Sequence, residues 1–218
     1  MKRYTQDAKR FNWPAMLAVC LLAPHRPMYL RRLRLTDPLD QQLADSLFFA
    51  APDFEMDAFG RLPVGDMALP LADRFPAGCA PEHRLTFAAF EHDQPVGLAQ
   101  VGLHLPTADS AALLMLLVPR RWRQQHLGCE MVSRLSKQAR RWPGIQRWYL
   151  NVTESNSAGQ AFWRHCGFRT TATGLSTGHS HDLLAMERSV KARPHCERHG
   201  RPEDAATVGG RLIFARLP

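Results

Sequence analysis

Residues 113–135, LLMLLVPRRWRQQHLGCEMVSRL, constrain the fold more than any other stretch of the chain. An apolar run ends at Val118-Pro119, a basic turn follows with Arg120, Arg121 and Arg123, and a helical pattern begins after Gly128. The run 111–118 is apolar at every position, so it has no wet face and reads as a central strand covered on both sides. Met131, Val132, Leu135, Ala139 and Trp142 then recur on one side of a helix, and Pro143-Gly144 stops it. Strand, loop and helix start in that order suit a bound phosphate. First-turn N–H groups lack intrahelical partners, and the helix dipole adds partial positive charge there.

The 218 residues carry a formal net charge of +8, and its distribution decides what that means. Residues 1–28 hold five Lys/Arg against one acid, and residues 191–218 hold six against three. Between them the balance is 17 against 16. Within that near-neutral middle, residues 120–147 gather eight Lys/Arg and one acid, Glu130. A local basic cluster on a neutral domain fits a small anionic ligand rather than nucleic acid. The five cysteines are widely spaced and include no CxxC pair, which reads as reduced thiols of a cytoplasmic protein. His179 and His181, and the run His195-Cys196-Glu197-Arg198-His199, lack a second well-spaced ligand pair, so no metal site is expected.

The chain divides into an extension (1–28), a domain (29–190) and a tail (191–218). The extension imitates a signal peptide, but its apolar run 16–23 is short and Pro24 and His25 spoil a cleavage site. The run falls far below the ~20 apolar residues of a spanning helix. It is expected to be poorly ordered, and translation from Met28 would remove it. The domain opens with a strand at Leu30, Leu33 and Leu35. Thr36-Asp37-Pro38 starts a helix, and Leu39, Leu43 and Leu47 should form its buried stripe. Residues 53–80 read as a loop-rich insertion with a short helix near 66–75. Strands follow at 85–91, 96–105 and 111–118, with Gly97 and Gly102 allowing a bulge. After the helix come a strand at 148–152, a helix at 157–165 closed by Gly167, and a hairpin of 169–173 with 182–188. In the tail, 211–217 has strand character but no evident place.

This order of elements resembles the GCN5-related N-acetyltransferase (GNAT) family, over about residues 29–190. Two motifs carry the resemblance. Arg123-Gln124-Gln125-His126-Leu127-Gly128 is similar to the family's acetyl-CoA loop: a basic residue or Gln, two spacers, Gly, one spacer, then Gly or Ala. Asn156-Ser157-Ala158-Gly159-Gln160-Ala161-Phe162-Trp163-Arg164-His165-Cys166-Gly167-Phe168 is similar to the family's second motif of Asn, a small residue, two apolar or aromatic residues, then Gly-Phe. The resemblance implies an α/β fold with a mixed, mostly antiparallel central sheet flanked by helices. It implies acetyl-CoA as co-substrate, bound by Leu117, Val118, Arg123, Gln124, Gln125, His126, Leu127, Gly128, Cys129, Asn156 and Trp163. It also implies direct attack of a primary amine, of a small molecule or a peptide, on the thioester.

Such a reaction needs a route for the amine proton and donors for the developing oxyanion. A backbone N–H near Leu117 or Val118 at a splayed strand suits the second need. The candidate side chains for the first are His104, at the end of a neighbouring strand, and Glu55, in the insertion. Asp53, Glu55 and Asp57 together favour a cationic acceptor. Arg120 and Arg121 could meet the 3′-phosphate of CoA, and Asn156 either bonds the pantetheine arm or caps a helix.

Two departures stand out. His126 replaces the first loop glycine, where a Cβ limits positive φ and close approach to phosphate. Trp163 replaces the family's frequent Tyr acid, and an indole N–H donates a hydrogen bond but supplies no proton near neutral pH. They motivate the alternative of a non-catalytic acyl-CoA-binding module of the same fold. No membrane partner is expected, nucleic acid is disfavoured, and a homodimer is allowed.

Overall fold

The computed structural model describes residues 28–54, 75–76, 78–175, 182–192 and 213–214. The extension up to residue 27, most of the insertion with its helix near 66–75, Glu55, Asp57, and the histidines at 179, 181, 195 and 199 lie outside the described residues.

The strands are β1 (Tyr29–Leu33), β2 (Arg84–Glu91), β3 (Gln94–Leu103), β4 (Ser110–Leu117), β5 (Arg147–Thr153), β6 (Arg169–Leu175), β7 (Leu183–Ser189) and β8 (Ile213–Phe214). The helices are α1 (Pro38–Phe49), α2 (Leu127–Ala139) and α3 (Ser157–His165). Seven strands follow one path, β1-β2-β3-β4-β5-β7-β6, and β8 pairs with β4 off that path. Every pair is antiparallel except β4 with β5. This is the mixed, mostly antiparallel sheet expected, and β4 is buried at all eight positions, as its unbroken apolarity requires.

Two cores sandwich the sheet. On one side α1 packs through Ala44, Leu47 and Phe48 against Leu33, Ala88, Leu98, Met115 and Leu117. On the other, α2 buries Met131, Val132, Leu135 and Ala139, joined by Trp148, Trp163 and Phe168. Gly97 admits α2 to the sheet: a Cβ there would lie 2.6 Å from Met131 Sδ and 2.8 Å from the Leu117 carbonyl. The β2–β3 turn places His92 and Asp93 at φ 49° and 60°, the mirror-image turn geometry that matches the twist of a two-residue hairpin.

α1 starts where expected. Asp37 Oδ1 accepts from the Leu39 N–H at 2.9 Å, and Pro38 occupies the first turn. Its inner face differs from the expected stripe. Leu39 is 73% exposed, and Asp40 is buried instead. Asp40 accepts from the Arg34 N–H at 2.7 Å and pairs with Arg31 at 2.8 Å, so its carboxylate ties the helix to β1. That pairing rotates the helix by a residue and leaves Leu39 in water.

A buried hub joins the elements beneath the second core. Arg188 on β7 donates to the Cys166 carbonyl at 2.7 Å and to Ser136 Oγ, and its guanidinium lies 5.0 Å from the Phe168 ring centre. Trp148 Nε1 also donates to Ser136 Oγ, at 3.1 Å. One serine and one arginine thereby fix α2, α3, β5 and β7 to one another.

Replacing Asp40 by Ala leaves the part-buried Arg34 N–H without its acceptor and removes the partner of Arg31. The expected loss is about 1–3 kcal/mol of stability, read as a lower urea midpoint with an unchanged denaturant slope. An unchanged midpoint would show that Asp40 does not hold α1 in place.

Candidate functional site

β4 and β5 pair at only three positions: Ser110 with Arg147, Ala111 with Trp148 and Ala112 with Tyr149. Beyond them the strands part, β4 continuing beside β3 and β5 beside β7. The cause is local. Gln100 faces Met115 and Val101 faces Leu113, so Leu114 has no opposite residue on β3. Such a bulge bends its strand and increases its twist, which turns the end of β4 away from β5. The result is a slot edged by the backbone of residues 113–117, below the start of α2.

The loop leading from that slot to α2 is tightly folded. Arg120–Trp122 form one 3₁₀ turn, and Gln124 and His126 both adopt left-handed backbone at φ 61° and 58°. His126 is the N-cap of α2 and gives it no side-chain cap. An L-residue held in that region costs roughly 1–2 kcal/mol relative to glycine. Arg123 does not extend into solvent. Its Nε donates to the Val118 carbonyl at 2.9 Å and its Nη2 to Asp53 Oδ1 at 3.1 Å, and Nη1 pairs with the other Asp53 oxygen. Burial works against ionisation of Asp53, but these bonds and charges from Arg123, helped by Arg120, outweigh it and hold its carboxyl below the ordinary range. Arg123 therefore braces the loop against the start of the insertion through Asp53. Arg120, Arg121, Gln124, Gln125 and His126 are at least partly exposed, while Leu127 and Cys129 are buried.

Gly128, in the first turn of α2, meets the second motif directly. A Cβ there would lie 3.1 Å from Phe162 Cε2. Asn156 caps α3, its Oδ1 accepting from the Gly159 N–H at 2.8 Å. Trp163 is 1% exposed, T-packed against Phe162 and Phe168, and its Nε1 has no hydrogen-bond partner among the described residues.

His104 does not join this group. It follows the end of β3, and because β3 and β4 are antiparallel, that end lies beside the start of β4. Leu117 is seven residues further along, about 23 Å at strand rise. The His104 ring is occupied by the Ala108 carbonyl at 2.6 Å and packs edge-on against His83. Glu55 falls outside the described residues.

Two residues beside the slot carry no sequence motif. Trp148 points to Ser136 on α2, so strand alternation sets Tyr149 and Asn151 on the opposite face. Tyr149 donates to Asn151 Oδ1 at 2.8 Å, and the two are 8% and 0% exposed. Burial pushes the Tyr149 hydroxyl above the usual phenol range; the bond to Asn151 opposes this, and the Glu187 charge adds to it. Only their spacing of two on a strand could have flagged them. Among the described residues no cluster of three His, Cys, Asp or Glu could hold a metal ion.

The profile of the Acetyltransferase (GNAT) family matches residues 50–168, which span the slot, the loop and both motifs. The chain belongs to the GNAT family. A search of curated proteins gives no match. Solved structures of GNAT enzymes share the architecture. An acetyltransferase from Thermus thermophilus superposes with a TM-score of 0.60 at 24% identity, covering 75% of this chain and 97% of its own. The spermidine N-acetyltransferase from Vibrio cholerae, solved with CoA and spermine, gives 0.57 at 14%, covering 74% and 95%. The ribosomal-protein-S18-alanine N-acetyltransferase from Escherichia coli gives 0.51 at 18%, covering 76% and 95%. At these identities the likeness establishes the fold alone.

Replacing His126 by Gly should relieve the left-handed strain. The expected gain is about 1 kcal/mol, or a rise of roughly 2–4 °C in melting temperature for a domain of this size. A fall in melting temperature would place the cost of the loop elsewhere.

Proposed function

We propose that this GNAT domain moves an acetyl group from acetyl-CoA to a primary amine. The observation that carries the reading is the parting of β4 from β5 just below the start of α2. The slot offers strand backbone to the amides of a pantetheine arm. The first-turn N–H groups of α2, with the loop from Gln124 to Cys129, offer donors and partial positive charge to the pyrophosphate. Exposed Arg120 and Arg121 stand at the rim for the 3′-phosphate. In this reading Arg123 acts by holding the loop, and Asn156 by capping α3.

In the reaction the neutral amine nitrogen attacks the thioester carbon. A C–N bond forms, the C–S bond breaks, and the CoA thiolate leaves and takes a proton. Backbone N–H groups at Leu117 and Val118 lie at the end of the slot, where they can stabilise the oxyanion. Of the two described tyrosines, Tyr149 flanks the slot and Tyr29 lies on the far edge strand. A phenol is protonated at neutral pH and the Tyr149 hydroxyl reaches Asn151 on the flank of the slot, so we assign it the proton donor's place that the Trp163 indole cannot fill. Amine acceptors are supported by the family and by the spermidine and alanine enzymes that share the fold. No helix among the described residues is long and apolar enough to cross a membrane. The widely spaced cysteines without a CxxC pair are our ground for placing the reaction in the cytoplasm.

The second reading, an acyl-CoA-binding module without turnover, is favoured by His126 and by Trp163. Calorimetry with acetyl-CoA and a thiol-release assay over a panel of polyamines, aminoglycosides and peptide N-termini separate the two. Binding with amine-dependent thiol release supports the enzyme, binding without release on any amine supports the module, and no binding removes both. Tyr149→Phe should then lower turnover by about 10²-fold or more while leaving acetyl-CoA affinity within twofold. Unchanged turnover would take the proton-donor role from Tyr149.

A further inference from the structure

The slot is already in use. Residues Ile213 and Phe214 form β8, which pairs antiparallel with β4, Ile213 opposite Leu116 and Phe214 opposite Met115. β8 also lies against β5. These β4 positions lie beyond Ala112, where pairing with β5 has ended. They are also deep: Met115 is 1% exposed and Leu116 3%. Backbone N–H and C=O groups at such depth need partners, and β8 brings backbone to them. A stretch of chain about a hundred residues away in sequence thus fills the edge that the strand divergence opens.

We propose that β8 and the pantetheine arm of acetyl-CoA bind the same edge of β4 and exclude each other. The chain carries its own competitor for the slot. The proposal rests on the acetyl-CoA reading above. Pantetheine is an extended chain with two amide groups, and a strand presents the same donors and acceptors at similar spacing. β8 supplies only two paired residues, and so short a ladder is marginal by itself. It can cover the edge when the slot is free and yield it when CoA arrives. The two occupants then set an equilibrium in which apparent CoA affinity is reduced by the fraction of open chain.

The test uses the full chain and the double variant I213P/F214P. Proline has no N–H to give a ladder and is poorly accommodated inside a sheet. Acetyl-CoA affinity is measured by calorimetry for both proteins, with melting curves to confirm that each is folded. The variant is expected to bind about three- to tenfold more tightly, the factor for a closed form populated ~70–90% of the time. Equal affinity in the two proteins would overturn the competition while leaving the acetyl-CoA reading intact. Absence of binding in both would overturn the two together. As a second measurement, a synthetic peptide of residues 207–218 is added to the variant. It should raise the apparent Kd for acetyl-CoA in proportion to its concentration, where a scrambled peptide does not. A peptide without effect would count against a shared edge.

Discussion

A single stretch of backbone that β5 leaves organises this molecule. β4 must be central and apolar on both faces, yet after Ala112 it loses one neighbour. An edge strand at the rim of a sheet can pair with water, but one in the middle of a core cannot. The bulge at Leu114 creates this condition, and the fold answers it with elements from both directions. The start of α2 sits at the end of the slot, and β8 lies along its side. A buried edge that β5 leaves and only a two-residue strand covers is the feature on which the proposed binding of an extended amide chain rests.

The surroundings are rigid where the slot must keep its shape. The Arg188–Ser136–Trp148 hub fastens the two helices to β5 and β7 from below, and the Arg123–Asp53 brace fastens the loop from the side. Neither uses a fully exposed pair of the kind that contributes little. Arg188 is 5% exposed and its bonds reach a serine and a carbonyl, so the hub depends on close geometry as much as on charge. The brace gives Arg123 a positional task, and the proposed function leaves the phosphate-facing charge to the more exposed Arg120 and Arg121.

The central strand, the α2 stripe, the α3 limits and the two motifs are legible in the sequence because each is a property of neighbouring residues. The departures share a physical origin. A stripe counted from apolar residues alone misses Asp40, which takes the inner position of α1 through a carboxylate that finds two partners six and nine residues earlier in the chain. Nearness to a strand end singles out His104, but the antiparallel sense of the pairing sends that end to the wrong side of β4. Tyr149 and Asn151 matter only once β5 is seen to flank the slot. β8 is strand-like in sequence but has no partner there, since pairing across about a hundred residues leaves no periodic trace.

The contact between Gly128 and Phe162 ties the two motifs more closely than their separation in the chain implies. A Cβ at position 128 would lie 3.1 Å from Phe162 Cε2, so the ring would have to give by a few tenths of an ångström. The loop and α3 therefore pack as one unit. In related chains a larger side chain at position 128 should arrive together with a smaller one at position 162, so that the pair varies as a couple while either residue alone stays fixed.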